Sequence, residues 1–264
     1  MGNIGPREYD HAREVAGSSP VPPIFLCLVR RDTSCTIRDT NMHHIPLTRI
    51  QKLIGRRMLK SKQSKACFYL EVKADVTELM ALRPKLRKSL GVRITTNAFY
   101  IHILGLAAQK YPLVVGRLEG ESIRIAEHVN VGFAVNAPQG LVVPVVKDAA
   151  DKTLPEIARQ EKLLTDKARD NQLTLEEIEG ETIALSNLGA YDIDSFLGII
   201  PPPASTILSV GNVLAKVVFR DGEITERKIL SLSLAADRRV LDERYAAEFL
   251  NYIKDRLQNP QQVI

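Results

Sequence analysis

The sequence predicts an α+β fold, a sandwich of helices on a mixed or largely antiparallel sheet. Segments with helical spacing of apolar residues and segments with alternating apolar residues occur in both halves of the chain. They follow no regular strand–helix–strand order, which argues against a Rossmann-type parallel sheet. The chain has 264 residues, of which 45% are apolar and 25% charged, so it can bury a sizeable core.

The first predicted helix follows Pro46. Thr48 is placed to cap this helix, and apolar residues recur at roughly helical spacing as far as about Lys62. Residues 67–76 (CFYLEVKADV) then alternate between apolar and polar side chains. These patterns predict an amphipathic helix followed by a half-buried strand.

Two further helices are predicted before the strands begin. Asp75 and Glu78 have the spacing of a capping box, and Gly91 is suited to end the helix that this box would begin. Residues 96–110 are apolar almost all round, which predicts a buried helix.

Most of the second half has the patterns of strands and turns. Pro138-Gln139-Gly140 and Asp221-Gly222 are turn sequences. Helices are predicted over 153–169, with Thr153 as the cap, and over about 243–257. The predicted strands are residues 114–119, 122–127, 129–137, 141–146, 181–186, 205–213, 214–219 and 226–235.

The net charge of +5 comes from one end of the sequence. Residues 1–65 hold 12 Lys and Arg against 5 Asp and Glu, whereas the remaining 199 residues hold 24 against 26. A slightly acidic body lacks the extended basic surface that nucleic acid requires. We therefore expect no nucleic-acid partner.

Residues 1–44 show no clear pattern, and we expect a poorly organised lead-in to a core domain over 45–264. The longest apolar run, residues 21–29, is far shorter than the roughly 20 residues that a membrane-spanning helix needs. Acidic residues precede this run, unlike the basic start of a signal peptide. Three cysteines without metal-type spacing fit a reducing compartment. We expect a cytoplasmic protein that does not enter the membrane.

The histidines have structural interpretations. His43 and His44 lack ligand partners at metal-binding spacing, so a flexible segment is favoured and no metal site is predicted. His102, in an apolar helix, is expected to be a core histidine with one satisfied nitrogen. His128 precedes a strand and has no evident base partner.

Four segments form an ordered set: IPLTRIQKLIGRRMLKSK (45–62), VNVGFAVNAPQGLVVPVVKDA (129–149), ETIALSNLGAYDIDSF (181–196) and LSLSLAADRRVLDERYAAEFLNYI (230–253). Together they resemble the catalytic core of the dihydrolipoyl acyltransferases of 2-oxoacid dehydrogenase complexes, relatives of chloramphenicol acetyltransferase. The resemblance covers some 220 residues. It implies a chloramphenicol acetyltransferase-like two-layer α+β sandwich with a mixed sheet, assembled as a homotrimer.

The resemblance also implies a chemistry, the transfer of an acyl group between a dihydrolipoyl thiol and coenzyme A. In the family, the His of a His-Arg-x-x-Asp-Gly motif deprotonates the attacking thiol, which is mostly un-ionised at neutral pH. A Ser from the segment resembling SNLG donates a hydrogen bond to the oxyanion that forms in the transition state. The trimer places these two groups on neighbouring subunits.

Several of the family's site residues have counterparts here. The resemblance assigns the catalytic Ser to Ser186 and the motif's Asp to Asp242. It implies that Asn187 and Gly189, which follow Ser186, and Arg49, in the PLTR segment, take part in binding coenzyme A. The alternative for the basic helix around Arg49 is an ordinary solvated face.

The motif's His is absent from this sequence. Arg238 stands at the position of the His and Glu243 at that of the Gly, so the segment reads Arg-Arg-Val-Leu-Asp-Glu. A guanidinium cannot accept a proton at neutral pH, and losing a general base costs about 10²–10⁴ in rate. A carboxylate such as that of Asp242 is a poor base for a thiol. A cation at position 238 could instead lower the pKa of a bound thiol.

Three functions therefore stay open. The first is a catalytically impaired acyltransferase core with a structural or assembly role, which the missing His favours. The second is an active coenzyme A-dependent acyltransferase with Arg238 in a new role. The third is a binding module for coenzyme A or an acyl thioester.

The expected partners follow from the same resemblance. We expect a stand-alone core without a lipoyl attachment site, working with lipoyl-bearing or decarboxylase proteins. The apolar end Val263-Ile264 either joins trimers into a cubic or icosahedral shell or is a frayed terminus.

Overall fold

The structure, a computed structural model, describes residues 44–220 and 222–263. The main compact unit begins at Pro46, and the predicted lead-in lies almost entirely outside the described residues. The helices are α1 Arg49–Ser64, α2 Thr77–Leu90, α3 Thr96–Lys110, α4 Leu154–Arg169, α5 Leu175–Ile178 and α6 Glu243–Gln258. The strands are β1 Cys67–Asp75, β2 Gly116–Glu119, β3 Ser122–Ile125, β4 Val131–Phe133, β5 Val135–Ala137, β6 Gly140–Val142, β7 Val145–Val146, β8 Ile183–Asn187, β9 Thr206–Arg220 and β10 Glu223–Asp237.

A six-stranded mixed sheet organises the unit, in the order β1-β10-β9-β8-β4-β7. Strand β8 runs parallel to both β9 and β4, and the other neighbours are antiparallel. Two small hairpins, β2-β3 and β5-β6, lie outside this sheet. The predicted α+β class with a mixed sheet is therefore confirmed.

The two faces of the sheet carry apolar clusters of different size. In β10, Leu232, Leu234 and Ala236 belong to the main core, whereas Ala235 faces a smaller cluster, because successive side chains of a strand alternate between faces. The main core includes the buried faces of α2, α3, α4 and α6. Helix α3 is buried on almost every side, as its apolar sequence predicts.

Helix α1 is attached to the segment that precedes β9. The side chains of Arg57, Ser61 and Lys65 donate to the carbonyl oxygens of Pro202, Ile200 and Ala204, respectively. The three donors are spaced four residues apart, and the carbonyl groups that they contact belong to alternate residues of the segment 200–204.

The helix boundaries largely follow the sequence signals. Thr48 and Thr153 form capping boxes at α1 and α4, and Gly91 ends α2 in the left-handed conformation. The capping box expected from Asp75 and Glu78 is wrong. Val76 occupies the cap position of α2, and the Asp75 carboxylate instead accepts hydrogen bonds from the backbone and hydroxyl of Thr77.

Several strand predictions need correction. The two strands expected over 205–213 and 214–219 are the single strand β9, and residues 114–115 belong to a 3-10 turn that precedes β2. The strands expected over 129–137 and 141–146 are each divided between the large sheet and the β5-β6 hairpin. Among the described residues, no helix is long and apolar enough to cross a membrane.

Candidate active site

Ser186 lies near the end of β8, between two parallel neighbours. It faces Ser209 of β9 in the register of the sheet and is half-buried. The sequence places this residue at a strand end, and the structure agrees. Its position beside a cavity makes it available to a bound molecule.

The residues after Ser186 build a tight turn. The Asn187 side chain accepts from the backbone N–H of Gly189 (2.9 Å) and donates to the Asn97 side chain (2.8 Å). A Cβ at Gly189 would lie 2.6 Å from the Gly211 carbonyl oxygen, so glycine is required there. Asn187 and Gly189 thus hold the backbone next to Ser186, and their role toward a cofactor stays a prediction.

The cavity beside Ser186 has a volume of about 500 Å³ and mainly apolar walls. At its rim, Leu141 and Leu197 are more than half exposed. The other lining residues include Ile54, Met58, Val143, Leu185, Phe196 and Ile207. Such walls suit the uncharged part of a ligand, and Ser186 supplies one of the few polar groups.

One ion pair belongs to the same cavity. Arg57 of α1 lies 3.0 Å from the carboxylate of Glu181, which is only 4% exposed. Burial raises the pKa of the Glu181 carboxyl, while Arg57 opposes that rise. The sequence suggested Arg49 as the phosphate contact on this helix, whereas the structure brings Arg57, two turns later, to the cavity.

Arg49 itself lies at the start of α1 and is exposed. A separate basic cleft, which sequence reasoning missed, lies beside α2 and is lined by Arg83, Arg87, Lys88 and Arg93. Burial lowers the pKa of Arg83, whose side chain donates to the Ile94 carbonyl oxygen. Four cations along one concave surface favour a polyanionic ligand. Their clustering in the sequence between residues 83 and 93 was the signal for this cleft.

Arg238 forms an ion pair with the other replaced motif position. Its Nε donates to Glu243 over 2.8 Å, and both side chains are about half exposed. The guanidinium charge is therefore balanced by a carboxylate within the same segment. This pairing weakens the alternative in which Arg238 lowers the pKa of a bound thiol.

Asp242 has a structural position at the start of α6. It is the cap residue of this helix, and its carboxylate accepts from the Tyr245 backbone N–H over 2.8 Å. The helix contributes Phe249 and Leu250 to the core, so the cap fixes the motif segment to the main body.

A second ion pair anchors the segment before Arg238. Arg239 makes a two-pronged contact with Asp237, at 2.9 and 2.6 Å, and Asp237 is only 1% exposed. Burial opposes ionisation of Asp237, but the hydrogen bonds from Arg239 outweigh it and lower the pKa of this carboxyl. The contact thus attaches the motif segment to a buried carboxylate.

The structure does not bring the predicted site residues together within one protomer. Ser186 lines the apolar cavity, whereas Arg238 and Asp242 are not among the residues that line it. A site shared between neighbouring subunits stays a prediction.

His128 has a base partner, contrary to the expectation from sequence. Its Nδ1 lies 2.8 Å from the carboxylate of Asp148, 20 residues later in the chain. Asp148 has a left-handed backbone (φ 50°), and its N–H donates to the Asn130 side chain over 3.0 Å. His128 also lines a cavity of about 270 Å³.

His102 is the core histidine that the sequence predicts. Its Nε2 lies 3.0 Å from the carbonyl oxygen of Val263, and burial lowers its pKa. Val263 is itself buried against its own protomer, so the described part of the C-terminus is folded back rather than frayed. Among residues 44–220 and 222–263, no group of three or more His, Cys, Asp or Glu is placed to hold a metal ion.

Comparison with known proteins gives concordant results. Residues 39–264 match the family model of 2-oxoacid dehydrogenases acyltransferase (catalytic domain). The chain is 36% identical over 220 residues to the dihydrolipoyllysine-residue acetyltransferase component of the pyruvate dehydrogenase complex from Rickettsia felis, which covers 82% of this chain and 53% of that relative. The chain thus spans about half the length of the curated relatives it matches.

Solved structures agree with the sequence matches. A probable dihydrolipoamide acetyltransferase from Listeria monocytogenes superposes with a TM-score of 0.78 at 30% identity, over 83% of this chain and 95% of that one. The cubic core of a pyruvate dehydrogenase multienzyme complex superposes with a TM-score of 0.80 at 26% identity, over 93% and 99%. The predicted two-layer acyltransferase fold is confirmed.

Proposed function

Because the chain belongs to the family of 2-oxoacid dehydrogenase acyltransferase catalytic domains, we propose that it is an acyltransferase core whose own acyl transfer is impaired and whose main role is structural. The family membership supports the acyltransferase part of this proposal. The replacement of the motif's His supports the impairment.

The observation that carries the proposal is the Arg238–Glu243 ion pair. The position that requires a proton acceptor holds a guanidinium, and that guanidinium donates a hydrogen bond to a carboxylate 2.8 Å away. Neither side chain can replace a neutral imidazole as a base for a thiol. An unassisted thiol would react about 10²–10⁴ times more slowly.

The rest of the site is compatible with a coenzyme A thioester. We propose that the apolar cavity holds its uncharged arm, with the thioester carbonyl toward the Ser186 hydroxyl. The basic cleft beside α2, or the exposed Arg49, would hold its phosphates. This chain's residues would then bind and orient the thioester without removing a proton.

The assembly is proposed to be a homotrimer or a larger shell built from trimers. The apolar rim of the Ser186 cavity, including Leu141, Leu197 and Ile199, is exposed on one protomer and would gain stability from cover by another subunit. The similarity to a cubic core supports a larger assembly. We propose lipoyl-bearing or decarboxylase proteins as partners, in the cytoplasm.

A turnover measurement tests the proposal. The purified protein is mixed with acetyl-coenzyme A and dihydrolipoamide, alongside a relative that keeps the motif's His. The proposal predicts turnover at least 10²-fold below that of the relative. Turnover within a few-fold of the relative would instead establish an active acyltransferase with Arg238 in a new role. Light scattering on the same sample separates a trimer from a larger shell.

The basic cleft favours one second candidate, a binding module for coenzyme A or an acyl thioester. This candidate predicts saturable binding of coenzyme A by calorimetry without turnover. Arg87 and Lys88 line the cleft. Replacing both with Gln would weaken the binding of coenzyme A and make its affinity less dependent on salt concentration. The absence of measurable binding by the wild type would exclude it.

A further inference from the structure

The pair of His128 and Asp148 lies outside the motif that carries Arg238, and it places an imidazole next to a carboxylate. Nδ1 of His128 lies 2.8 Å from the Asp148 carboxylate. In the neutral tautomer that carries its proton on Nδ1, Nε2 is the atom that accepts a proton when imidazole acts as a base. Both side chains are accessible, at 64% and 42% exposed.

Hydrogen bonds fix the backbone around the pair. Asp148 adopts a left-handed conformation that few residues other than glycine take, so its placement requires support from its neighbours. Asn130 supplies this support, because its side chain accepts from the Asp148 N–H and donates to the Gly180 carbonyl oxygen. The Ala149 N–H also donates to the Val129 carbonyl oxygen over 2.8 Å.

The cavity that His128 lines adjoins the segment that carries Arg238. A Cβ added at Gly116, in its wall, would lie 3.2 Å from a methyl group of Val240. Next to Ala204, also in the wall, the Ser205 carbonyl oxygen accepts from the Asp237 N–H over 3.0 Å. Parts of the cavity wall therefore pack close to the residues on either side of Arg238, although those residues do not line the cavity.

The walls of this cavity fit a small uncharged group better than a nucleotide. Its volume is about 270 Å³, and Val115, Ile125, Ala126, Pro203 and Ala204 provide apolar surface. The charged residues that line it are of both signs, and they are Arg117, Arg124, Glu127 and Glu181. Arg117 is paired with Glu119 and Glu181 with Arg57, so little net charge is left to select an anion.

We propose that His128, oriented by Asp148, is a displaced imidazole base that accepts the proton of a small neutral thiol bound in this cavity. The inference rests on the proposed function, because His128 would supply the base for the residual, slow acyl transfer of an impaired acyltransferase. His128 is the catalytic residue, and Asp148 is a positioning residue that acts through it.

The step balances without an oxidant or a metal. The thiol S–H proton passes to Nε2 of His128, and the thiolate sulfur forms a bond to the carbonyl carbon of an acyl thioester. The original C–S bond of that thioester then breaks, and its departing sulfur takes the proton back from the imidazolium. An acyl thioester of coenzyme A is the co-reactant, as in the proposed function.

The test compares His128→Ala with His44→Ala, a matched control at a second exposed histidine, using acetyl-coenzyme A and dihydrolipoamide. We expect His128→Ala to lower kcat at least tenfold at unchanged KM, with partial recovery on adding free imidazole, and His44→Ala to change neither. Asp148→Asn should lower kcat less and should respond less to imidazole. In the wild type, dihydrolipoamide should shift the NMR signal of the His128 ring and leave that of His44 in place.

The outcomes separate this inference from the proposed function. Equal turnover by His128→Ala and wild type, or no wild-type turnover at all, would overturn the inference while the impairment stands. Wild-type turnover at the rate of an authentic relative that disappears in His128→Ala would support the inference and refute the impairment. Unchanged NMR signals from His128 at saturating dihydrolipoamide would also overturn it.

Discussion

Replacing either partner of the Arg57–Glu181 ion pair changes stability in a direction that the burial of each group determines. Glu181 is almost fully buried, whereas Arg57 is 49% exposed and also donates to the Pro202 carbonyl oxygen. Arg57→Ala leaves the buried carboxylate without its partner. Glu181→Gln keeps the shape of the side chain and removes the buried charge.

The expected sizes follow from these exposures. Breaking a fully buried ion pair costs about 3–5 kcal/mol, and we halve this to about 2 kcal/mol because Arg57 is half exposed. The lost hydrogen bond to Pro202 adds about 1 kcal/mol. For a domain of this size, the total of about 3 kcal/mol lowers Tm by roughly 6–12 °C. Glu181→Gln is expected to keep or raise Tm at pH 7, because burial favours the uncharged form.

The pKa of Glu181 determines how the stability of Glu181→Gln relative to wild type changes with pH. The pKa of Glu181 is raised above its ordinary value of 4.5, so the folded protein holds this proton more tightly than the unfolded chain does. Its contribution to stability is fully present below about pH 4.5 and is lost as pH rises through the raised pKa. Glu181→Gln should therefore gain stability relative to wild type from pH 4.5 upward, measured by calorimetry between pH 4 and 8. A loss at pH 7 as large as that of Arg57→Ala would refute the reasoning.

Two further predictions concern the supports of the site. Gly211→Ala should lower the free energy of unfolding by about 1–3 kcal/mol or more in a denaturant titration, because its Cβ would lie 1.9 Å from the Asp194 carbonyl oxygen. The control Gly55→Ala, which has open space in α1, should raise it by about 0.5–1 kcal/mol. Equal effects of the two substitutions would contradict the packing. Asp237→Asn should destabilise near neutral pH because it breaks the contact with Arg239. Since the pKa of Asp237 is lowered, the wild type should be more stable than this variant above about pH 4, and the difference should disappear as pH falls through that lowered pKa. A stability difference that persisted at pH 2 would contradict the ion pair between Asp237 and Arg239.

Local signals explain why much of the fold was predictable. Thr48, Thr153 and Gly91 act through contacts within one helical turn, so their roles are visible in the sequence itself. Strand β9 was predicted as two strands, divided after Val213. In the structure the strand is continuous, and Gly211 and Asn212, which lie opposite the single residue Ser231, form a bulge just before that division.

The sequence predicted only those residues of the candidate site that occupy positions of a family motif. Ser186 and Arg238 stand in segments whose order resembles a known family, so their positions could be assigned. His128 and Asp148 are 20 residues apart in loops, and only the fold of the intervening strands brings them to 2.8 Å. Arg57 likewise reaches the Ser186 cavity through the docking of α1, which sequence spacing does not reveal.

The most direct test of the central claim restores the motif. Acyl transfer from acetyl-coenzyme A to dihydrolipoamide is measured for wild type, Arg238→His, and the double variant Arg238→His with Glu243→Gly. The turnover rate of the single variant should exceed that of the wild type. The rate of the double variant should exceed the wild-type rate by about 10²–10⁴-fold, because the double variant supplies a base free of the neighbouring carboxylate. A correctly folded double variant no faster than the wild type would contradict the claim that Arg238 limits this chemistry.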